Sequence, residues 1–222
     1  MEEQIRSSEL FDLTQTMAAD LLKTREYPWE ILGDIHDFII KLGNTLEPEI
    51  YEKKGENIWI AKSASVFESA SITGPCIIGE RTQVRHCAFI RGDALIGNDC
   101  VIGNSAELKN VIIFNNCEVP HYNYVGDSVL GFHAHMGAGS ITSNIKADRQ
   151  NIKIRCSDKI IETGRRKIGA MLGDYAEIGC NAVLNPGTIV GKNTNIFPTT
   201  CVRGVVPSGC IMRNTGELVE KK

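Results

Sequence analysis

The sequence predicts a mainly β protein: a left-handed parallel β-helix of hexapeptide repeats with an N-terminal pair of α-helices and an extruded loop. Three observations carry this. First, an apolar residue, nearly always aliphatic, recurs every six positions through Ile60, Val66, Ile72, Ile78, Val84, Ile90, Ile96, Ile102, Leu108 and Phe114. Second, a small residue follows four positions later in each unit: Ala64, Ala70, Cys76, Thr82, Ala88, Ala94, Cys100, Ala106. Third, the pattern returns as Leu172, Ile178, Leu184, Val190, Ile196 and Val202, with Leu130 and Met136 in the same phase. A helix has a period of 3.6 and a half-buried strand a period of two, so neither produces a period of six.

Each element follows in chain order. Leu10, Leu13, Met17 and Leu21 suggest one amphipathic helix. Pro28 opens a second, with Ile31, Ile35, Phe38, Ile39 and Leu42 on one face and Gly43 as its stop. Residues 1–57 are expected to form a helical cap on the first coil, whose open end would otherwise expose unpaired backbone. Residues 58–206 form the prism. Three six-residue units make one triangular coil, the aliphatic filling the interior and the small residue sitting where walls converge. Glycine after the aliphatic, as in Ile78-Gly79, Ile96-Gly97 and Ile102-Gly103, suits a tight corner. From Phe114 to Leu130 is sixteen residues, not a multiple of six, so the register is expected to slip between them. Residues 145–167 are charged and lack the repeat, and are expected to leave the prism as the extruded loop. Residues 207–222 form a C-terminal tail. In so regular a scaffold, function is expected at the irregularities.

Composition narrows the classes. The chain has 222 residues, 42% hydrophobic and 23% charged, with a net charge of −3. That balance gives no strong field for nucleic acid or an anionic membrane. No apolar run approaches the roughly 18–20 residues of a membrane span. The start, MEEQIRSSEL, lacks the basic and apolar regions of a signal peptide, so a cytoplasmic location is expected. The eight cysteines form no CxxC pair and read as small packing residues in a reducing compartment.

Of five histidines, His36 falls on the second helix as a surface residue, whereas His121 lies in the expected slip, after Pro120 and before Tyr122 and Tyr124. A histidine near neutral pKa can take a proton from an amine or hydroxyl nucleophile. Arg91 and Lys109 each follow an inward aliphatic and stand eighteen residues, one full coil, apart, which stacks them on one wall. A guanidinium fork and an ammonium are both suited to a phosphate.

The run VPHYNYVGDSVLG followed by MGAGSITSN resembles the acetyltransferase half of the bifunctional glucosamine-1-phosphate N-acetyltransferase and N-acetylglucosamine-1-phosphate uridyltransferase family. The resemblance covers Ile58 to about Val206 and is closest to archaeal-type sugar-phosphate nucleotidyltransferase/acetyltransferase proteins, through ETGRRKIGAMLGD at Glu162 to Asp174. It implies an acetyl-CoA-dependent N-acetyltransferase acting on an amino-sugar 1-phosphate, without metal, as a homotrimer. His121 would be the general base and Tyr124 its catalytic companion, Tyr124 or a backbone amide stabilising the oxyanion. Arg91 and Lys109 would hold the phosphate, and Asn144 would lie near the sugar. The Ala138 amide, Cys180 and Pro198 would meet the cofactor. The family's asparagine before GAG is His135 here, placed at the substrate, and its lysine six residues past Asn144 is Gln150. No nucleotidyltransferase domain is expected in the first 57 residues. Two other readings remain: a non-catalytic trimeric partner of a separate nucleotidyltransferase, suggested by His135 and Gln150, and a zinc lyase. The Arg91-Gly92-Asp93 triplet also occurs in γ-class carbonic anhydrases, with His86, His133 and His135 as available ligands but without that family's H-x4-H spacing.

Overall fold

The computed structural model describes residues 3–156 and 159–221, and in them the hexapeptide units build a parallel β-helix with three walls. On the first wall Ile60, Ile78, Ile96, Ile113, Leu130, Leu172, Val190 and Val206 pair in succession. The second wall stacks Val66, Val84, Ile102, Val119, Met136, Ile178, Ile196 and Met212. The third stacks Ile72, Ile90, Leu108, Val125, Thr142, Leu184 and Val202. Most of these side chains are completely buried in one core, and the small residues Cys76, Thr82, Ala88, Ala94, Cys100 and Ala106 close it at the corners. Cys76, Cys100, Cys117 and Cys156 are buried thiols, and burial pushes Cys76 up to about 12.

The register slips within the expected stretch, at Val125 to Leu130, and also once before it, at Leu108 to Ile113. The partner of Ile96 is Ile113, not Phe114, and the partner of Ile113 is Leu130. Two five-residue units, Leu108 to Ile113 and Val125 to Leu130, replace two hexads, so two successive coils each lose one residue at the corner between the third and first walls. As a result Glu107–Ile113 and Tyr124–Leu130 run unbroken from one wall into the next. Elsewhere a corner residue with positive φ stands three places after the inward aliphatic, as in Asp99, Ser105, Tyr122 and Tyr175; here Asn110 and Asp127 take it two places after, at φ 53° and 49°. Short polar side chains tolerate that conformation best among non-glycine residues. His121 lies between the two deletions, in a hexad of normal length.

The N-terminal helices are also shorter than expected and lie elsewhere. Instead of one helix over Leu10 to Leu21 there are short turns, Glu3–Ile5, Ser7–Leu10, Leu13–Gln15 and Ala19–Leu22; the second splits into a 3-10 turn, Pro28–Gly33, and helix α1, Ile35–Gly43. The backbone between them is spent on docking. Leu10 O accepts from Asp174 N at 3.0 Å, Asp12 N donates to the Asp174 carboxylate at 2.7 Å, and Gln15 O accepts from Asn115 N at 3.0 Å. Phe11 packs on Phe114, ring centroids 5.0 Å apart, which gives Phe114 a buried role outside the prism interior.

This segment lies along the outside of the first wall rather than over the end of the first coil. Helix α1 packs on Cys76–Ile78, Ala94–Ile96 and Glu107–Ile113, and the Pro28–Gly33 turn on Tyr124–Leu130. It packs over the wall's outward residues Ile77, Leu95, Ile112 and Val129, while Met171 and Ile189, also buried, continue the row towards the end where Lys153–Cys156 packs on Val205–Val206. The signal was present as apolar doublets, Ile77-Ile78 through Ile189-Val190, recurring once per coil. The end of the first coil is instead paired by Tyr51–Gly55, antiparallel to Ile58–Ala61. At the far end the prism runs past Val206 to Cys210–Met212, which Leu218–Glu220 covers antiparallel.

Met136 pairs with Ile178, 42 residues on. The added chain leaves the third corner at an Ile145 to Lys167 bridge and carries the hairpin Lys153–Cys156 with Lys159–Glu162. Ile152, Ile154 and Cys156 are buried, while Gln150 is exposed.

Candidate functional site

The prism converts sequence distance into columns. Residues two places after each inward residue of the second wall form one edge, and that edge contains His121, then Ala138, Cys180 and Pro198 on successive coils. His121 sits beside Asn104 of the previous coil, and its carbonyl accepts from Gly139 N at 2.9 Å. The Cys180 carbonyl accepts from Thr199 N at 2.8 Å, continuing the stack. Four residues expected to meet donor and base therefore share one open edge. The Ala138 N–H makes no hydrogen bond among the described residues.

The turn that presents His121 is fixed from below. Tyr122 holds φ at 51°, and buried Asn123 accepts from His121 N at 2.9 Å. The Asn123 amide donates to the carbonyls of Gly137 (2.8 Å) and Ser140 (3.1 Å) on the next coil. The imidazole itself is exposed and without a hydrogen bond among the described residues. Asn123 was not foreseen; its place in the H-Y-N-Y run was the only clue.

On the third wall, Arg91 stacks over Lys109 as the eighteen-residue spacing requires. Both cations are paired. Arg91 Nη1 donates to Glu107 Oε1 at 2.7 Å, and Lys109 Nζ lies 3.5 Å from Asp127 Oδ1. Asp127 is the centre of the cluster. Its side chain is 5% exposed, and it also accepts from Asn110 Nδ2 at 2.8 Å and from Asn144 Nδ2 at 2.5 Å. The Asn144 amide lies 3.1 Å from the Tyr124 hydroxyl as well. These donors meet the hydrogen-bonding demand of a buried carboxylate. Burial first, then the Asp127 charge, pushes the Tyr124 phenol above its ordinary pKa, against the donor Asn144. Tyr124 is thus a protonated, half-buried hydroxyl, able to donate.

The one-residue deletions make this cluster. They place Asn110, Asp127 and Asn144 one above another at the third corner, each two places after its inward residue. Asp127 was visible in the Gly-Asp of the motif, but its role needed the shortened corner. The side chains of His121 and Tyr124 are not bonded to one another; they stand at the entry to the third wall, three residues apart.

His135 lies on the outer second wall, its Nδ1 2.9 Å from Glu177. It lines a shallow groove with Cys180 and Pro198, on a different wall from Arg91 and Lys109. Asn195 lines the same groove, its amide oxygen buried without a partner among the described residues. His86, His133 and His135 do not converge: His86 packs at Phe67, and His133 stacks on Tyr175. Among the described residues no three His, Cys, Asp or Glu side chains stand together as a metal site. No described helix is long and apolar enough to cross a membrane.

The chain is similar to several known proteins. A family profile described as the GMPPB C-terminal domain matches residues 72–156. A bifunctional sugar-1-phosphate nucleotidylyltransferase/acetyltransferase of Sulfurisphaera tokodaii is 31% identical over 90% of this chain and 53% of its own length. The bifunctional protein GlmU of Methanocaldococcus jannaschii is 32% identical over 88% of this chain and 48% of its own. The chain spans about half the length of these relatives. A putative uncharacterized acetyltransferase, YaiX of Escherichia coli K12, is 32% identical over 76% of this chain and 79% of its own. Among solved structures, the acetyltransferase domain of PglB from Neisseria gonorrhoeae, in complex with acetyl coenzyme A, is 16% identical with a TM-score of 0.40 over 72% of this chain and 55% of that domain.

Proposed function

The chain belongs to the hexapeptide-repeat acetyltransferases, and on that premise we propose that it moves an acetyl group from acetyl-CoA to the amine of an amino-sugar 1-phosphate resembling glucosamine 1-phosphate. One observation carries the reading: the edge bearing His121, Ala138, Cys180 and Pro198 opens beside the wall that holds Tyr124, Asn144, Lys109 and Arg91.

In this reading the thioester lies along the edge, its carbonyl near the unbonded Ala138 N–H. The sugar amine attacks that carbonyl, and His121 takes the proton the nitrogen sheds. The tetrahedral oxyanion collapses, the C–S bond breaks, and the coenzyme A thiolate leaves and is protonated. Donors already aimed at the oxyanion cost no reorganisation during the step, which is why Ala138 N–H and the Tyr124 hydroxyl matter. Arg91 has five N–H donors, of which Glu107 takes one, so it can hold a phosphate without losing its partner. Fixing the phosphate orients the amine, and orientation supplies much of the rate.

We further propose a cytoplasmic homotrimer, because the first wall is already covered while the edge and the other two walls are open to neighbours. The test is a single-turnover assay of thiol release from acetyl-CoA with glucosamine 1-phosphate, comparing wild type with His121→Ala. Release in the wild type and its loss in the variant support the proposal. Absence of release from the wild type across several amino-sugar phosphates would sink it.

A further inference from the structure

We propose that the cleft between the extruded hairpin and the end of the third wall is a binding site for a diphosphate-bearing ligand. The hairpin is not loose there. Ile152 and Ile154 are buried over Gly187, where an added Cβ would stand 2.6 Å and 2.9 Å from them, and φ is +78°. That contact brings Lys146, Lys153 and Arg155 opposite Arg203 of the prism. The cleft continues past Lys146 and Pro186 towards Asp148, the one acidic residue in its lining.

Charge decides the ligand class. Lys146 is paired with Asp148 at 3.0 Å and Lys153 with Glu162 at 2.6 Å. Arg155 and Arg203 have no carboxylate partner among the described residues; Arg203 reaches only the Asn185 side-chain oxygen, at 3.4 Å. Two unpaired guanidinium forks facing across a cleft suit two adjacent phosphates, each taken bidentately. The phosphate-facing pair of the proposed active site differs, since Arg91 and Lys109 each have an acidic partner. The two places are separate. Arg203 lies in the Lys109 column four strands further on, about 19 Å away at the usual strand spacing.

The test is calorimetric titration of the whole protein with inorganic pyrophosphate. Binding that weakens at least tenfold in the double variant Arg155→Gln/Arg203→Gln, with unchanged melting temperature, and that Arg91→Gln leaves intact, supports the site. Equal binding by the double variant, or equal loss in Arg91→Gln, overturns it. ADP and UDP then distinguish the bearer by competing for pyrophosphate: ADP stands for the nucleotide end of the acyl donor, UDP for a nucleotide-linked sugar. Competition by either supports the proposal, and competition by neither reduces the site to an adventitious ion. The measurement needs no turnover, so it stands or falls apart from the acetyl-transfer reading; only the naming of the bearer rests on that reading.

Discussion

The Asn144 side chain donates to the buried carboxylate of Asp127, seventeen residues earlier in the chain and one coil away. Seventeen, not eighteen, is the number that matters, because a full-length coil would have turned these two side chains out of line. The same Asn144 amide lies beside the Tyr124 hydroxyl, so one carboxylate orders both a polar contact and a candidate oxyanion donor.

Asp127→Ala leaves Lys109, Asn110 and Asn144 with unmet donors around a small void. All three side chains are partly exposed, so some of these donors can turn to water and the rest stay unmet. A loss of about 1–3 kcal/mol is expected, the range for unsatisfied buried polar groups. Urea unfolding of variant and wild type measures it, and an unchanged midpoint would show that the network adds nothing to stability.

Tyr124 should reveal itself at high pH. Its folded-state pKa is raised by burial and by Asp127, so its contribution to stability is complete below 10.0. Above that the unfolded chain ionises first, and stability falls as pH climbs towards the folded value. Melting temperatures of the wild type should therefore drop between pH 9 and 11 more steeply than those of Tyr124→Phe. Tyr51 is raised for the same first reason, burial, so the comparison is best made in a Tyr51→Phe background.

Arg91→Gln should act on binding. Its guanidinium is proposed to orient the acceptor phosphate, whereas Glu107 already occupies one of its donors. KM for the sugar phosphate should rise about tenfold with kcat changed less than about threefold, the pattern of lost uniform binding. Steady-state kinetics decide this, and an equal fall in kcat would assign Arg91 to the chemical step.

Phe11→Ala should undock the N-terminal segment, because Phe11 is buried against Phe114 and its neighbours Leu10 and Asp12 supply the hydrogen bonds to Asp174. Large-to-small changes of a buried aromatic cost about 3–5 kcal/mol. Limited proteolysis should cut within residues 1–46 of the variant at protease levels that leave the wild type whole.

Gly187→Ala should loosen the extruded hairpin. The new methyl meets Ile152 and Ile154, and alanine is strained at φ +78°. A cost of about 1–3 kcal/mol is expected from overpacking and backbone strain. Hydrogen exchange localised to residues 152–162 reads it out, and uniform exchange rates would show that the hairpin tolerates the methyl.

The prism is legible in the sequence because each hexad repeats the same physical demand: one residue inside, one small residue at the corner. The stacking of Arg91 on Lys109 follows from arithmetic alone, since no irregularity lies between them. Asp127 is different. Its position depends on two missing residues, and a deletion leaves no residue to read, only a phase change. Phe114 concealed the first deletion by standing in phase while packing outwards on Phe11. The N-terminal turns were hidden for a related reason. Leu10, Leu13, Met17 and Leu21 have helical spacing, but Phe11 and Thr16 are extended so that the intervening backbone can bond to the prism.

The covered first wall has a consequence for any attempt to dissect the chain. Ile77, Leu95, Ile112 and Val129 form a ladder of four rungs under the N-terminal segment, roughly 14 Å from end to end at the usual strand spacing. Removing residues 1–46 would lay that ladder bare on a flat parallel sheet, a surface that invites self-association. The β-helix therefore cannot be treated as a freestanding cassette to be lifted out and fused elsewhere: its leading segment is the second half of its own hydrophobic core and must travel with it.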